Sequence, residues 1–251
     1  TTPMKNHKEV LEYMQKITAQ NPPAVQEFGA HCLSDTNKTP DGRLRFLVAL
    51  LLSSQTQDPV TAQAVYRLDN FLATEAKQTE IDNFHCKSVQ DIKQHNLTFK
   101  NLKSATTEYL EKLIYPVGFY KKKAVYLKQL GDLEDVPKTV SDLIKLKGIG
   151  FKMAKIATNV CWGVISGIAV DTHVQRISQK LGWAGNLQLS ANPNKVMNDL
   201  EEVVPKELWG EVNETIVGFG QVFCSAMKPK CEQCELRGKE CKWVPEKKKR
   251  M

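Results

Sequence analysis

The sequence predicts an all-α protein, and three observations predict it. Apolar residues in most segments recur at spacings of three and four. The segments start and stop at helix signals: Asp58 followed by Pro59, and glycine, proline or asparagine at the far ends. No convincing run alternates apolar and polar residues as a strand would. Residues 44–54 (LRFLVALLLSS) are apolar on nearly every face and predict a buried helix. DPVTAQAVYRL follows, with Asp58 placed as an N-cap and Pro59 as the first helical residue. Residues 69 to 107 are polar and weakly patterned, and are expected to form an insertion or long loop with at most short helices. Beyond them KKKAVYLKQLGDL, VSDLIKL, FKMAKIATNVCW, THVQRISQKLGW, NKVMNDLEEVV and ETIVGFGQVF all have helical patterning.

The 251 residues suffice for one large domain or two modest ones with a real core. Hydrophobic residues at 41% and charged ones at 25% are ordinary for a globular chain. No apolar run approaches 18 residues, so no membrane-spanning helix is expected. No secretory signal is found, and the chain opens at Thr1 without an initiator methionine, which leaves room for native residues before it, a targeting segment among them. The formal charge of +7 is compatible with a polyanionic partner without requiring one. The basic run EKKKR near the end is either a solvated tail or a nuclear-import or DNA-contacting segment. Of seven cysteines, Cys32, Cys86 and Cys161 are scattered, while Cys224, Cys231, Cys234 and Cys241 fall together. An odd total with one tight cluster argues against a disulfide framework and for a metal site in a reducing compartment.

The stretch LKGIGFKMA (146–154) joins two helical patterns. Val140, Leu143, Ile144 and Leu146 precede it, and Met153, Ala154, Ile156, Ala157, Val160 and Val164 share one face after it. Gly148 and Gly150 therefore sit in a helical hairpin, where glycine permits unusual backbone angles and close approach. The second helix opens there with free N–H groups, a geometry that binds phosphate. An ordinary corner between packed helices is the plainer reading. Lys152 lies in the first turn of that helix. Its plain fate is a solvated lysine, but the positive helix end favours the neutral amine, which is nucleophilic and can form a Schiff base. Lys155 is either a further phosphate contact or another solvated lysine. In GIAVDTHVQRIS (167–178) an apolar run ends at Asp171, just where the next helix needs an N-cap. Capping alone could explain it. If the chain folds back, its carboxylate could also stand beside Lys152, stabilise positive charge and move protons at a sugar carbon. The cysteines read C-x6-C-x2-C-x6-C. One close pair flanked by wide gaps suits a [4Fe–4S] cluster better than structural zinc, which favours two close pairs; zinc and free thiols are the alternatives.

Together these stretches resemble the endonuclease III family of DNA glycosylase/AP lyases, above all its eukaryotic members, over roughly residues 25–70 and 108–245. LLSSQTQD (51–58), IYPVGFYKKKA (114–124), LKGIGFKMAKIA (146–157), SGIAVDTHVQRI (166–177) and the cysteine loop match in order. The resemblance implies a six-helix barrel domain over 44–164, with a helix-hairpin-helix at about 139–165. It implies a second helical domain from 1–43 and 165–251, carrying a [4Fe–4S] cluster on Cys224, Cys231, Cys234 and Cys241. It implies bifunctional excision of oxidised pyrimidines from duplex DNA in base excision repair, with Lys152 as the nucleophile and Asp171 as the essential carboxylate. Gln55 would fill the gap left by the flipped base, where a loop glutamine would otherwise bond to backbone. Phe119 would be an apolar wedge rather than a core residue. Gly148 and Gly150 would bind phosphate, and Lys121, Lys122 and Lys123 would add charge along the DNA backbone. The expected partner is double-stranded DNA with an oxidised pyrimidine or abasic site, bound by a monomer and not at a membrane. The expected location is the nucleus, with the mitochondrion open as a second. Three features depart from the family pattern: Lys147 replaces a proline before the hairpin's first glycine, the last cysteine gap is six residues rather than five, and 69–107 is longer than usual.

Two other functions compete. An adenine-removing mismatch glycosylase needs a catalytic acid in the helix before QTQ and lacks the lysine, whereas LVALLLSS has no acid and Lys152 is present. A non-catalytic iron–sulfur protein that binds DNA or senses redox state would use the hairpin and the cluster, and would not need Lys152.

Overall fold

The computed structural model describes residues 6–23, 39–87, 95–185 and 192–243. The EKKKR run and Cys32 lie outside these residues. The described residues are helical without any strand, apart from one isolated bridge between Arg237 and Cys241. In chain order the helices are α1 (His7–Gln20), α2 (Pro40–Ser53), α3 (Asp58–Phe71), α4 (Gln78–Asp82), α5 (Phe99–Ser104), α6 (Thr107–Ile114), α7 (Tyr120–Leu130), α8 (Val140–Leu143), α9 (Phe151–Trp162), α10 (Thr172–Leu181), α11 (Pro193–Val203) and α12 (Trp209–Val222). Two short 3-10 turns, Lys206–Leu208 and Cys231–Gln233, complete the set. None of these helices is long and apolar enough to cross a membrane.

The chain forms two compact units, Ala24–Ser166 and Thr1–Pro23 with Gly167–Met251. In the first, α2 is the centre, as its all-round apolar sequence predicts. Every residue from Gly42 to Leu52 is buried, and α3, α7 and α9 pack on it. Each leucine withdrawn from water there stabilises the fold by about 1.5–3 kcal/mol. Thr39 caps α2 by accepting from the Gly42 amide at 3.1 Å. Two arginines on α2 are buried with partners. Arg43 donates to Asp135, and Arg45 makes a two-pronged pair with Asp69 at 2.7 and 2.9 Å, with Asp69 fully buried.

Five elements differ from the sequence reading. Helix α3 begins one residue early: Gln57 is the cap, and Asp58 is already helical, where its charge still suits the positive helix end. Residues 69–107 do carry two short helices, α4 and α5, as expected, but they are not a mere surface insertion. Ile81, Leu97 and Leu102 in that stretch are wholly buried, and Asp69 accepts from the Leu97 amide, so a polar-looking segment supplies core. VSDLIKL yields only one turn of helix. Helices α1 and α6 were not anticipated, although Val10, Leu11 and Met14 in α1, and Leu110, Leu113 and Ile114 in α6, have helical spacing and are buried.

In the second unit α1 and α10 both pack on α12, and α11 packs on α10. The Tyr13 and Phe219 rings meet edge-on at 6.2 Å.

Candidate active site

The hairpin closes as its glycines require. Gly148 has φ +87, a left-handed angle that side chains rarely adopt. A Cβ there would lie 2.8 Å from the Leu51 side chain and 2.6 Å from that of Tyr126. Gly148 thus lets the turn rest against the last turns of α2 and the middle of α7. Gly150 is different. It is the N-cap of α9 with ordinary extended angles, is exposed, and a Cβ on it would meet nothing within 4 Å. Lys152 is the second residue of α9 and is half-buried, while the next lysine, Lys155, is buried at 7% exposure. Lys147 is exposed beside the turn.

Gln55 and Phe119 sit on two loops of this same unit. They are the non-glycine residues with positive φ among the described residues, at +52 and +57. Such angles are uncommon for side chains of this size, and each costs about 1–3 kcal/mol unless its surroundings enforce it. Both side chains are exposed, Phe119 at 58%. The enforcement is local. Gly118 approaches the Gln55 carbonyl so closely that a Cβ would stand 2.4 Å from its oxygen. The Gly118 amide donates to the Thr56 hydroxyl at 3.1 Å. Lys121 and Lys122 are exposed on the first turn of α7. Lys123 is not. It is 3% exposed, and its ammonium donates to the carbonyls of Leu52 at 2.9 Å and Ser54 at 2.6 Å and to the Thr56 hydroxyl at 3.3 Å. The expectation that Lys123 touches phosphate is therefore corrected: its charge is spent on the C-terminal carbonyls of α2. Burial pushes this amine down from 10.5 to about 8.

In the other unit Asp171 is the N-cap of α10, as its place in the sequence predicts. Its Oδ1 accepts from the amides of His173 and Val174, both at 2.9 Å. The apolar run before it is pinned on two sides. The Ile168 amide donates to Glu201 at 2.8 Å, and the Ala169 carbonyl accepts from Asn213 at 2.8 Å. The carboxylate is thus held on a rigid stretch of chain. Lys152 and Asp171 belong to different units.

Cys224, Cys231, Cys234 and Cys241 all line one cavity in this second unit, with Met14, Phe219 and Leu236 as apolar wall and Lys180 and Trp243 beside them. None of the four is in a disulfide, and burial pushes the thiols of Cys224, Cys234 and Cys241 up. Lys180 Nζ stands 4.0 Å from Cys224 Sγ and lies over the Trp243 ring at 3.5 Å. Among the described residues no three His, Cys, Asp or Glu side chains are arranged to hold a metal ion. The basic residues of this loop, Lys228, Lys230, Arg237, Lys239 and Lys242, are all exposed.

Residues 48–206 match the HhH-GPD superfamily of base excision DNA repair proteins. The chain belongs to this superfamily, within the endonuclease III family. It is 35% identical over 237 residues to the endonuclease III-like protein 1 of Mus musculus, covering 92% of this chain and 70% of the mouse protein. The same protein of Gallus gallus is 35% identical, with 92% and 75% covered. The endonuclease III homolog of Encephalitozoon cuniculi is 34% identical, with 86% and 85% covered. A solved non-covalent endonuclease III–DNA complex superposes with a TM-score of 0.67 at 25% identity over 91% of both chains. A trapped endonuclease III–DNA covalent intermediate gives 0.66 at 26% identity over 93% of this chain and 94% of that one. As an endonuclease III family member the chain is a DNA glycosylase and AP lyase of base excision repair.

Sequence reasoning missed Thr56 and Gly118, which shape this endonuclease III family member's exposed loops, and gave Lys123 the wrong role. The last had a readable signal. Lys123 shares a helical face with Leu127 and Leu130, both buried, whereas Lys121 and Lys122 fall on the solvent side.

Proposed function

We propose that this chain removes oxidised pyrimidines, thymine glycol among them, from duplex DNA and then cuts the strand. The Lys152 amine attacks C1′ of the flipped nucleotide, the glycosidic bond breaks, and the base leaves with its electron pair. The sugar ring then opens: the C1′–O4′ bond breaks, O4′ takes a proton, the nitrogen gives one up, and nitrogen and C1′ are joined as an imine. A 2′ proton is lost, the C3′–O bond breaks, and the 3′ phosphate departs. Water finally hydrolyses the imine and returns the amine. Asp171, anchored through one oxygen by two amides, is the carboxylate that stabilises positive charge and moves protons in these steps. Gly148 and Gly150 form the phosphate-binding turn, and Lys121 and Lys122 add charge along the backbone. Gln55 and Phe119 enter the base stack.

The observation that carries this reading is Lys152, half-buried in the first turn of a helix that is entered through a left-handed glycine, in a chain of this family. Cys224, Cys231, Cys234 and Cys241 hold a [4Fe–4S] cluster. Four soft donors around one cavity, one close pair in sequence flanked by two wide gaps, support this reading. Bound there, the cluster would cross-link the loop and partly offset its exposed lysines and arginine. The protein acts as a monomer, in the nucleus or also in the mitochondrion.

Borohydride trapping tests the chemistry. Duplex DNA with one abasic site or one thymine glycol should give a covalent complex on a denaturing gel, and Lys152→Gln should give none. A wild-type protein that binds this DNA without trapping would leave the non-catalytic DNA-binding reading instead. Cluster loading is read separately, as visible thiolate–iron absorbance that Cys231→Ser abolishes.

A further inference from the structure

We propose that Lys123 is the positioning residue that locks the Gln55 and Phe119 loops into one rigid wedge for insertion into damaged DNA. The proposal rests on the reading that these two side chains enter the base stack. Lys123 touches both loops at once. Its backbone amide donates to the Phe119 carbonyl at 3.0 Å. Its ammonium reaches across 71 residues of sequence to the Leu52 carbonyl, and it also holds Ser54 and Thr56 on either side of Gln55. The Thr56 hydroxyl completes the junction. It donates to the Ser54 carbonyl at 3.2 Å and accepts from both the Gly118 amide and Lys123. A hydroxyl has one proton and two lone pairs, so all of its capacity is used.

Three physical features suit this role. The carbonyls at the end of α2 are short of amide partners, and a cation there is favoured by the helix dipole. The side chain is 3% exposed, so it is unavailable for phosphate. Gln55, which its ammonium brackets, and Phe119, whose carbonyl its backbone amide holds, are the residues whose backbones need external enforcement, with φ +52 and +57. A wedge that is already in its inserted conformation loses less entropy on binding.

The test uses the full chain and a duplex in which a tetrahydrofuran abasic analogue faces 2-aminopurine. Insertion changes the emission, and affinity is read in the same titration. The variants are Lys123→Met, Gln55→Ala, Phe119→Ala and the combination of Lys123→Met with Gln55→Ala. Lys123→Met should lose the emission change and weaken binding to the analogue about tenfold, as when the competent loop geometry is populated a tenth of the time. Binding to undamaged duplex should stay within about twofold, and the combination should lose little more than the worse single variant, because both act through one element. Wild-type emission and affinity in a folded Lys123→Met, alongside a defective Gln55→Ala, overturns the proposal. Equal weakening on damaged and undamaged DNA overturns it in favour of a phosphate contact. Wild-type behaviour of both Gln55→Ala and Phe119→Ala overturns the insertion reading itself. If Lys123→Met does not fold, Thr56→Val decides on the same readouts: a selective loss on the analogue supports the junction, and an unchanged signal overturns it.

Discussion

Gly148 and Gly150 stand one residue apart in the same turn, yet the structure assigns them different jobs. Alanine at 148 must adopt φ +87, a strain of about 1–3 kcal/mol. Its methyl must also displace Leu51, which is 1% exposed and fixed in the core, from a distance of 2.8 Å. Overpacking of that kind costs about 1–3 kcal/mol more. Gly148→Ala should therefore destabilise the protein by about 2–6 kcal/mol. At 150 the angles are φ −97 and ψ 175, and no neighbour lies within 4 Å. The poorer cap that alanine makes is balanced by the lower entropy of its unfolded chain, so Gly150→Ala should shift stability by no more than about 0.5 kcal/mol. Urea unfolding followed by circular dichroism measures both. If the turn binds phosphate as proposed, a methyl at 150 stands in its path, and DNA affinity should fall in Gly150→Ala. Equal stability losses in the two variants would refute the assignment of the cost to Cβ collisions. Unchanged DNA affinity in Gly150→Ala would remove phosphate approach as the reason for glycine at 150.

Three further outcomes are expected. Asp171→Asn keeps a good cap oxygen for the His173 and Val174 amides, so stability should move by less than about 0.5 kcal/mol while excision and trapping fall sharply; Asp171→Ala should cost about 0.5–2 kcal/mol as well. Asp69→Asn removes the buried counter-charge of the Arg45 guanidinium and should cost about 3–5 kcal/mol in urea unfolding, most of which Arg45→Met with Asp69→Leu should restore. The Asp135 carboxyl is held below its ordinary 3.8, chiefly by the hydrogen bonds from Arg43. Its stabilising contribution is complete above that value and is lost as pH falls through the folded one, so Asp135→Asn should flatten the loss of thermal stability below about pH 4.

The helical class, the turn at 146–150, the cap at Asp171 and the cysteine spacing were all legible in the chain itself. Each is a local property: a period of 3.6, an angle that only glycine takes easily, an oxygen three residues from the amide it caps, and thiols within one loop. What the chain could not declare depends on partners far away in sequence. Residues 69–107 look like a loop because Ile81, Leu97 and Leu102 are isolated among polar neighbours, and they become core only when they meet α2 and its surroundings. Three consecutive lysines look alike in sequence, yet only the tertiary structure separates Lys123 from Lys121 and Lys122. It brings the end of α2 against α7, where two helix-end carbonyls and one hydroxyl receive the buried amine and offset part of its cost of burial.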